Sequence, residues 1–151
     1  MPQSLAQVYI HFVFSTKNRA PFLLDKAFRR EMHAYLGTTC GYLDSPSEIV
    51  GGVADHVHLL CRLSRTHTLA DTVRELKRES SKWVKTKGAD YADFHWQDGY
   101  GAFSISPAHR TVLIDYIENQ EQHHAELTFQ DEYRRLLAKY NVEYDERYVW
   151  D

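Results

Sequence analysis

Cysteine is scarce in this chain: Cys40 and Cys61 are the two it has among 151 residues, twenty-one positions apart. A CxxC spacing is missing, so neither a zinc knuckle nor a disulfide framework is expected, and both thiols read as reduced packing residues. Long apolar runs are missing too. No stretch approaches the roughly 18 residues that a membrane span needs, and Met1-Pro2-Gln3-Ser4 shows no basic segment followed by an apolar one, so a cytoplasmic protein with no membrane partner is expected. A basic surplus is also lacking, since the net charge is −3, which argues mildly against a nucleic-acid partner.

That average conceals an asymmetry. Between Asp71 and Lys87 six basic residues (Arg74, Lys77, Arg78, Lys82, Lys85, Lys87) face three acids, whereas from Asp115 to Asp151 ten acids face four lysines and arginines. The acidity therefore sits at the C-terminal end. With 43% hydrophobic and 26% charged residues, residues 1–151 have the size and composition of one globular domain, with an acidic, aromatic tail at about 141–151.

Histidine is plentiful, at nine residues. In Asp55-His56-Val57-His58-Leu59-Leu60 the alternation predicts a β-strand, on which His56 and His58 share one face and Val57, Leu59 and Cys61 the other. Such a strand can hold a metal ion without giving up its packing. Chance or structural placement explains an isolated HxH equally well in a chain this rich in histidine. Asp55 could fix the tautomer of one imidazole or simply serve a turn.

Elsewhere, Gln7 to Ser15 alternates as a first strand, with His11 a packed strand residue. Asp25 caps a helix that Gly37 and Gly41 are expected to stop. A short strand over 48–53 forms a hairpin with the histidine strand. Thr68 caps a helix that reaches about Lys87, and a strand follows Trp96. Ser106-Pro107 opens a helix running to about Ala125, Phe129–Tyr140 is a last helix, and no pattern is assigned to the tail. The order β-α-β-β-α-β predicts an α+β, ferredoxin-like split βαβ fold, an antiparallel sheet with extra C-terminal helices. That fold settles little about function.

Tyr116 and Gln120 lie four apart in a helical pattern, about 6 Å along the axis. A phenol with a pKa near about 10 attacks poorly at neutral pH. A cation held by His56, His58 and Gln120 would activate it and polarise a phosphodiester. A surface tyrosine is the plainer alternative, and His123 and His124 could compete as ligands. The basic helix reads either as a solvated face or as a phosphate track through Arg74, Lys77, Arg78 and Lys82, extended by Lys17 and Arg19. Tyr9, Trp83 and Trp96 could stack on bases if they are not core.

Five segments in order, HFVFSTKNRAPFL (11–23), GGVADHVHLL (51–60), LKRESSKWV (76–84), WQDGYGAFSIS (96–106) and YIENQEQHH (116–124), resemble the single-tyrosine HUH transposases of bacterial and archaeal insertion sequences, including relatives associated with repeated extragenic palindromes. The resemblance implies a single-stranded DNA enzyme that nicks and rejoins strands through a 5′-phosphotyrosine and recognises hairpins beside its cleavage sites. It also implies a homodimer in which the tyrosine helix can serve either subunit's histidine pair. By the same resemblance His56, His58 and Gln120 are metal ligands, Tyr116 is the nucleophile, and the ion is Mg²⁺ or Mn²⁺, of which two imidazoles suit Mn²⁺ better. Two alternatives are a non-catalytic nucleic-acid-binding module and a metal-dependent phosphodiesterase with water as nucleophile.

Overall fold

Period-two hydrophobicity produces four strands in the computed structural model, which describes residues 2–151: β1 (Tyr9–Ser15), β2 (Ser47–Gly52), β3 (His56–Arg62) and β4 (Gly101–Ile105). Every neighbouring pair is antiparallel, in the order β2-β3-β1-β4. Helices α1 (Lys26–Tyr42) and α2 (Leu69–Lys85) connect them, and α3 (Arg110–Glu118), α4 (Gln120–His123) and α5 (Phe129–Lys139) follow. The expected α+β split βαβ arrangement with added C-terminal helices is the observed one.

Alternation divides the central strands cleanly. Ile10, Phe12 and Phe14 of β1 and Val57, Leu59 and Cys61 of β3 pack against Phe28, Met32 and Leu36 of α1 and Val73, Leu76 and Val84 of α2. Cys40 and Cys61 are free thiols in this layer. The other face of the sheet is not open. Tyr9, Leu60 and Ile105 lie under Leu113 and Ile117 of α3, while Val13 and Phe103 lie under Phe129, Tyr133, Leu136 and Leu137 of α5. The imidazoles of β3 are therefore roofed, and His56 and His58 are both 0% exposed.

The boundaries differ from expectation in informative places. Asp25 and Thr68 do cap α1 and α2, their side chains accepting from the amides of Phe28 and Asp71. But α1 continues through Gly37 and ends at Tyr42, one residue past Gly41. At Gly37 an added Cβ would lie 3.1 Å from Ser47 Oγ, so this glycine admits β2 close to the helix instead of ending it. The helix expected from Ser106 to Ala125 is interrupted at Asn119, whose φ of −99° and ψ of 25° leave the helical region. Its side-chain amide donates to the Asp115 carbonyl at 2.8 Å, a local bond that competes with helix continuation. The tail folds back. Asp151 accepts from the Gly99 amide at 3.0 Å, and Arg134 stands 4.9 Å over the Trp150 ring.

Candidate active site

Strand β3, helix α3 and the residue that ends α4 converge on one carboxylate of α5. Glu132 of α5, 1% exposed, places Oε1 2.8 Å from His58 Nε2, 3.2 Å from His56 Nε2 and 3.1 Å from His124 Nε2. Its other oxygen accepts a hydrogen bond from the Tyr116 hydroxyl. His56 is held from behind by Asp55, with Nδ1 to Oδ1 at 2.7 Å, and its Nε2 lies 3.3 Å from Gln120 Oε1. His58 is held from behind by His11, whose Nε2 is 2.8 Å from His58 Nδ1. The structure thus brings Tyr116, His56, His58 and Gln120 together within one chain, and adds Glu132, His124 and His11.

α3 reaches this position because β2 lets it come close. A Cβ at Gly51 would lie 2.6 Å from the Ile117 carbonyl oxygen, so α3 rests directly on the strand, with Tyr116 turned toward His58 at a ring separation of 5.8 Å. Gln120 stays one turn further on, its amide 3.4 Å from the Tyr116 carbonyl. The break at Asn119 does not separate them.

The buried charges perturb one another. Burial pushes the Glu132 carboxyl up, but the imidazoles of His58, His124 and His56 close around it outweigh burial and hold the group well below the carboxylate range. Burial lowers His56, yet Asp55 and Glu132 together raise it above an ordinary imidazole. His58 is lowered, by burial first, and His11 well below the imidazole range, by burial and then by His58. The Tyr116 phenol is raised, by burial and then by the charge of Glu132. As it stands, the cluster keeps the phenol protonated.

Donor atoms of His56, His58, His124 and Glu132 all lie within 4.8 Å of one another. Among the described residues His124 Nε2 is buried without a hydrogen-bond partner, although Glu132 Oε1 stands 3.1 Å away. Three imidazoles and a carboxylate around one point, one of them unpaired, fit a divalent transition ion; hard-ligand Mg²⁺ fits less well. Gln120 Oε1 is a further neutral oxygen at the rim.

Clefts meet the cluster from two sides. One of 730 Å³ is lined by Lys26, Arg29, Asp55, His124 and Phe129. The other, of 300 Å³, is lined by Tyr116, His123, Glu132, Arg135 and Lys139. Lys17 and Arg19 lie in a turn where Asn18 and Arg19 have φ of 55° and 54°; the Thr16 amide before it donates to the Asp55 carbonyl at 2.8 Å, while the Arg19 guanidinium turns to the tail and donates to the Trp150 carbonyl at 3.3 Å. The basic helix does not adjoin the site. α2 packs on the opposite face of the sheet, with Arg74, Arg78 and Lys82 paired to Asp71, Glu75 and Glu79 along its outer row. Lys77 turns away from that row: its ammonium donates to the carbonyls of Gln97, Asp98 and Gly99, and burial pushes it down to about 8. Tyr9 and Trp96 are core, while Trp83 stacks with Phe28 and Tyr35.

Glu132 escaped the sequence reading although a signal exists. It shares the apolar stripe of α5 with Phe129, Tyr133 and Leu136, and an acid on a buried stripe requires partners. His11 gives no local signal, because its partner is set by strand pairing.

Among the described residues no helix is long and apolar enough to cross a membrane. No curated protein matches the chain. Solved structures do match in fold. A candidate transposase from Deinococcus radiodurans R1 is 22% identical over 80% of this chain and 95% of its own, with a TM-score of 0.62. A REP-associated tyrosine transposase bound to a REP hairpin is 15% identical over 96% of this chain and 91% of its own, with a TM-score of 0.60. The family model described as "Transposase IS200 like" matches residues 4–120. That span runs from before β1 through Tyr116 to Gln120, and with most of the chain inside it the protein belongs to the IS200-like transposase family.

Proposed function

We propose that this transposase cuts and rejoins single-stranded DNA at sites flanked by hairpins, with Tyr116 as nucleophile. The observation that carries the reading is the hydroxyl of Tyr116 bonded to Glu132, whose other oxygen sits among three imidazoles. The fold shared with a hairpin-bound REP-associated transposase supports the choice of DNA.

His56, His58, His124 and Glu132 would hold the cation, with Gln120 as a further oxygen ligand, and Mn²⁺ suits this set better than Mg²⁺. When bound there, the ion supplies positive charge that lowers the phenol's pKa and polarises the phosphodiester. The chain's residues do the rest. Tyr116 Oη attacks phosphorus, its O–P bond forms as the P–O3′ bond breaks, and the strand ends as a free 3′-hydroxyl and a 5′-phosphotyrosine. Glu132 Oε2, already the acceptor of the phenolic hydrogen, relays that proton to solvent, and the leaving 3′-oxygen takes one from solvent. One phosphodiester replaces another, so the step is reversible without ATP and can join a new strand. Arg135 and Lys139, beside Tyr116 in the smaller cleft, neutralise phosphates of the bound strand.

The homodimer belongs to this proposal. Exchange of α3 between subunits requires its release from Gly51, and Tyr116 already reaches the histidine pair of its own chain.

A labelled oligonucleotide carrying a hairpin and a single-stranded flank, incubated with protein and Mn²⁺, should leave label on the protein in a denaturing gel. Tyr116→Phe should lose the adduct and keep binding. An adduct that survives in this variant overturns the assignment, and cutting without any adduct assigns water as the nucleophile. Binding unaffected by chelator with neither cutting nor adduct assigns a non-catalytic module.

A further inference from the structure

The central strand buries an imidazole that the reaction above does not use. His11 is 0% exposed, and β1 pairs it with Leu60, two residues beyond His58 on the same face of β3. That diagonal is within reach of ring side chains. The two rings stack with centroids 5.1 Å apart and planes 24° apart, and His11 Nε2 lies 2.8 Å from His58 Nδ1. The other nitrogen of His11, Nδ1, has no hydrogen-bond partner among the described residues. Its remaining ring neighbour is Phe103, at 6.0 Å.

Nothing in this packing needs a polar residue except His58. An apolar ring would fill the space under Phe103 and avoid an orphaned nitrogen, but it would leave His58 Nδ1 buried and unpaired. His11 is explained by what it does to His58, and His58 matters through its outward nitrogen, Nε2.

We propose that His11 is a positioning residue for the metal centre: its Nε2 accepts the proton that His58 carries on Nδ1, so that His58 Nε2 faces the cation as a lone pair. This rests on the metal reading of the site. Between two neutral imidazoles a single proton occupies the shared bond. While His58 Nε2–H donates to Glu132, the shared proton belongs to His11 Nε2 and His58 Nδ1 accepts it. Once a cation takes the Nε2 lone pair, the His58 proton must sit on Nδ1, and His11 must accept with Nε2 and hold its own proton on Nδ1. His11 therefore changes tautomer on metal binding without touching the metal. Its unpartnered Nδ1 can serve as lone pair or as N–H, because no neighbour selects between them. Ring orientation follows from the same bond, as for metal-bound histidines generally.

Two measurements on the full chain decide this. In ¹⁵N-histidine-labelled protein, long-range ¹H–¹⁵N correlation should show His11 as the Nε2–H tautomer in chelator and as the Nδ1–H tautomer with Zn²⁺, a diamagnetic probe. Mn²⁺ titration followed by electron paramagnetic resonance should show H11F weakening the ion by about 10–100-fold, with H11Q, whose carboxamide oxygen can accept the same proton, within about tenfold of the unaltered protein. At saturating Mn²⁺ the adduct rate of H11F should recover, since the loss lies in occupancy. His11 remaining Nε2–H with Zn²⁺ bound overturns the proposal, as does H11F binding Mn²⁺ as tightly as the unaltered protein, or H11Q no better than H11F. If H11F fails to fold, the tautomer measurement on the unaltered protein decides alone. Unaltered protein that binds neither ion overturns the metal reading and this inference together, whereas tight binding by unaltered protein and H11F alike overturns only the role of His11.

Discussion

Both faces of the sheet are buried, one by apolar side chains alone and the other by apolar clusters set around a patch of imidazoles. Toward α1 and α2, Phe12, Phe14, Val57 and Leu59 are all 0% exposed and need no polar partner. Toward α3–α5, His11, His56 and His58 are also 0% exposed, and they need partners that the cluster supplies incompletely, since among the described residues His11 Nδ1 and His124 Nε2 have none. Burying polar groups weakens a fold unless they are paired. A sheet built for stability alone would repeat the first face on the second. Alternate residues of the same strands thus separate holding the protein together from doing chemistry.

The sharpest test sets adjacent residues of β3 against each other. Leu59→Ala should destabilise the protein by about 2–5 kcal/mol, read from the urea unfolding transition, while adduct formation per folded molecule stays unchanged. His58→Gln, which roughly keeps volume, should shift unfolding in chelator much less and reduce adduct formation by more than about 100-fold, beyond the usual effect of a residue that only supports a ligand. If His58→Gln unfolded the protein as Leu59→Ala does and left cutting intact, the division of labour between the faces would be wrong.

Glu132→Gln comes next, because it keeps the shape and an acceptor for Tyr116 and removes the charge. Mn²⁺ affinity should fall by about 10–100-fold. The Tyr116 phenol, raised by burial first and Glu132 second, should titrate at lower pH by ultraviolet absorbance.

Acid should likewise affect the polar face of the metal-free protein. His11 and His58 have lowered folded values, so the unfolded chain binds more protons and stability falls as pH drops through about 6.5. His56 is raised; its contribution is complete below about 6.5 and fades as pH rises through the folded value. Glu132 contributes above about 4.3 and loses that contribution as pH falls further, toward its lowered folded value. Three lowered imidazoles (His11, His58 and, on α1, His33, which burial pushes down to about 4) against one raised predict a urea midpoint that declines from about pH 7 to about pH 5. Glu132→Gln should steepen the decline, since Glu132 raises both His56 and His58. A midpoint that climbs on acidification would break this reading.

What the sequence made legible was local. Alternation put His56 and His58 on one face and Leu59 on the other, and the four-residue spacing carried Tyr116 and Gln120 to the same place despite the break at Asn119. What stayed hidden depended on pairing between distant segments. His11 meets His58 only through the register of β1 on β3. Glu132 lies on a stripe whose burial depends on what α5 docks against. The charge of α2 was plain, but Lys77 falls four residues after Val73 and one after Leu76, on the inward stripe. Its ammonium therefore serves the loop before β4 and leaves the outer row to Arg74, Arg78 and Lys82. Gly37 looked like a stop because a glycine that ends a helix and one that admits a neighbouring strand leave the same mark in sequence.

The smallest effects concern which face the DNA follows. Arg74, Arg78 and Lys82 are exposed and paired along their own helix, so replacing any of them with alanine should change stability by less than about 0.5 kcal/mol. Their test is the salt dependence of binding. Each phosphate of a single strand that a variant no longer neutralises should lower the slope of log affinity against log salt by about 0.7. Arg135→Ala and Lys139→Ala, in the cleft beside Tyr116, should each remove about that much for an unpaired oligonucleotide, because the strand must pass Tyr116 to be cut. The α2 variants should leave this slope alone, since their side chains lie across the sheet from the histidines. With a hairpin attached, a slope change in Arg74→Ala or Arg78→Ala would show the duplex wrapping onto the apolar side, and the division between the faces would then hold for catalysis but not for recognition.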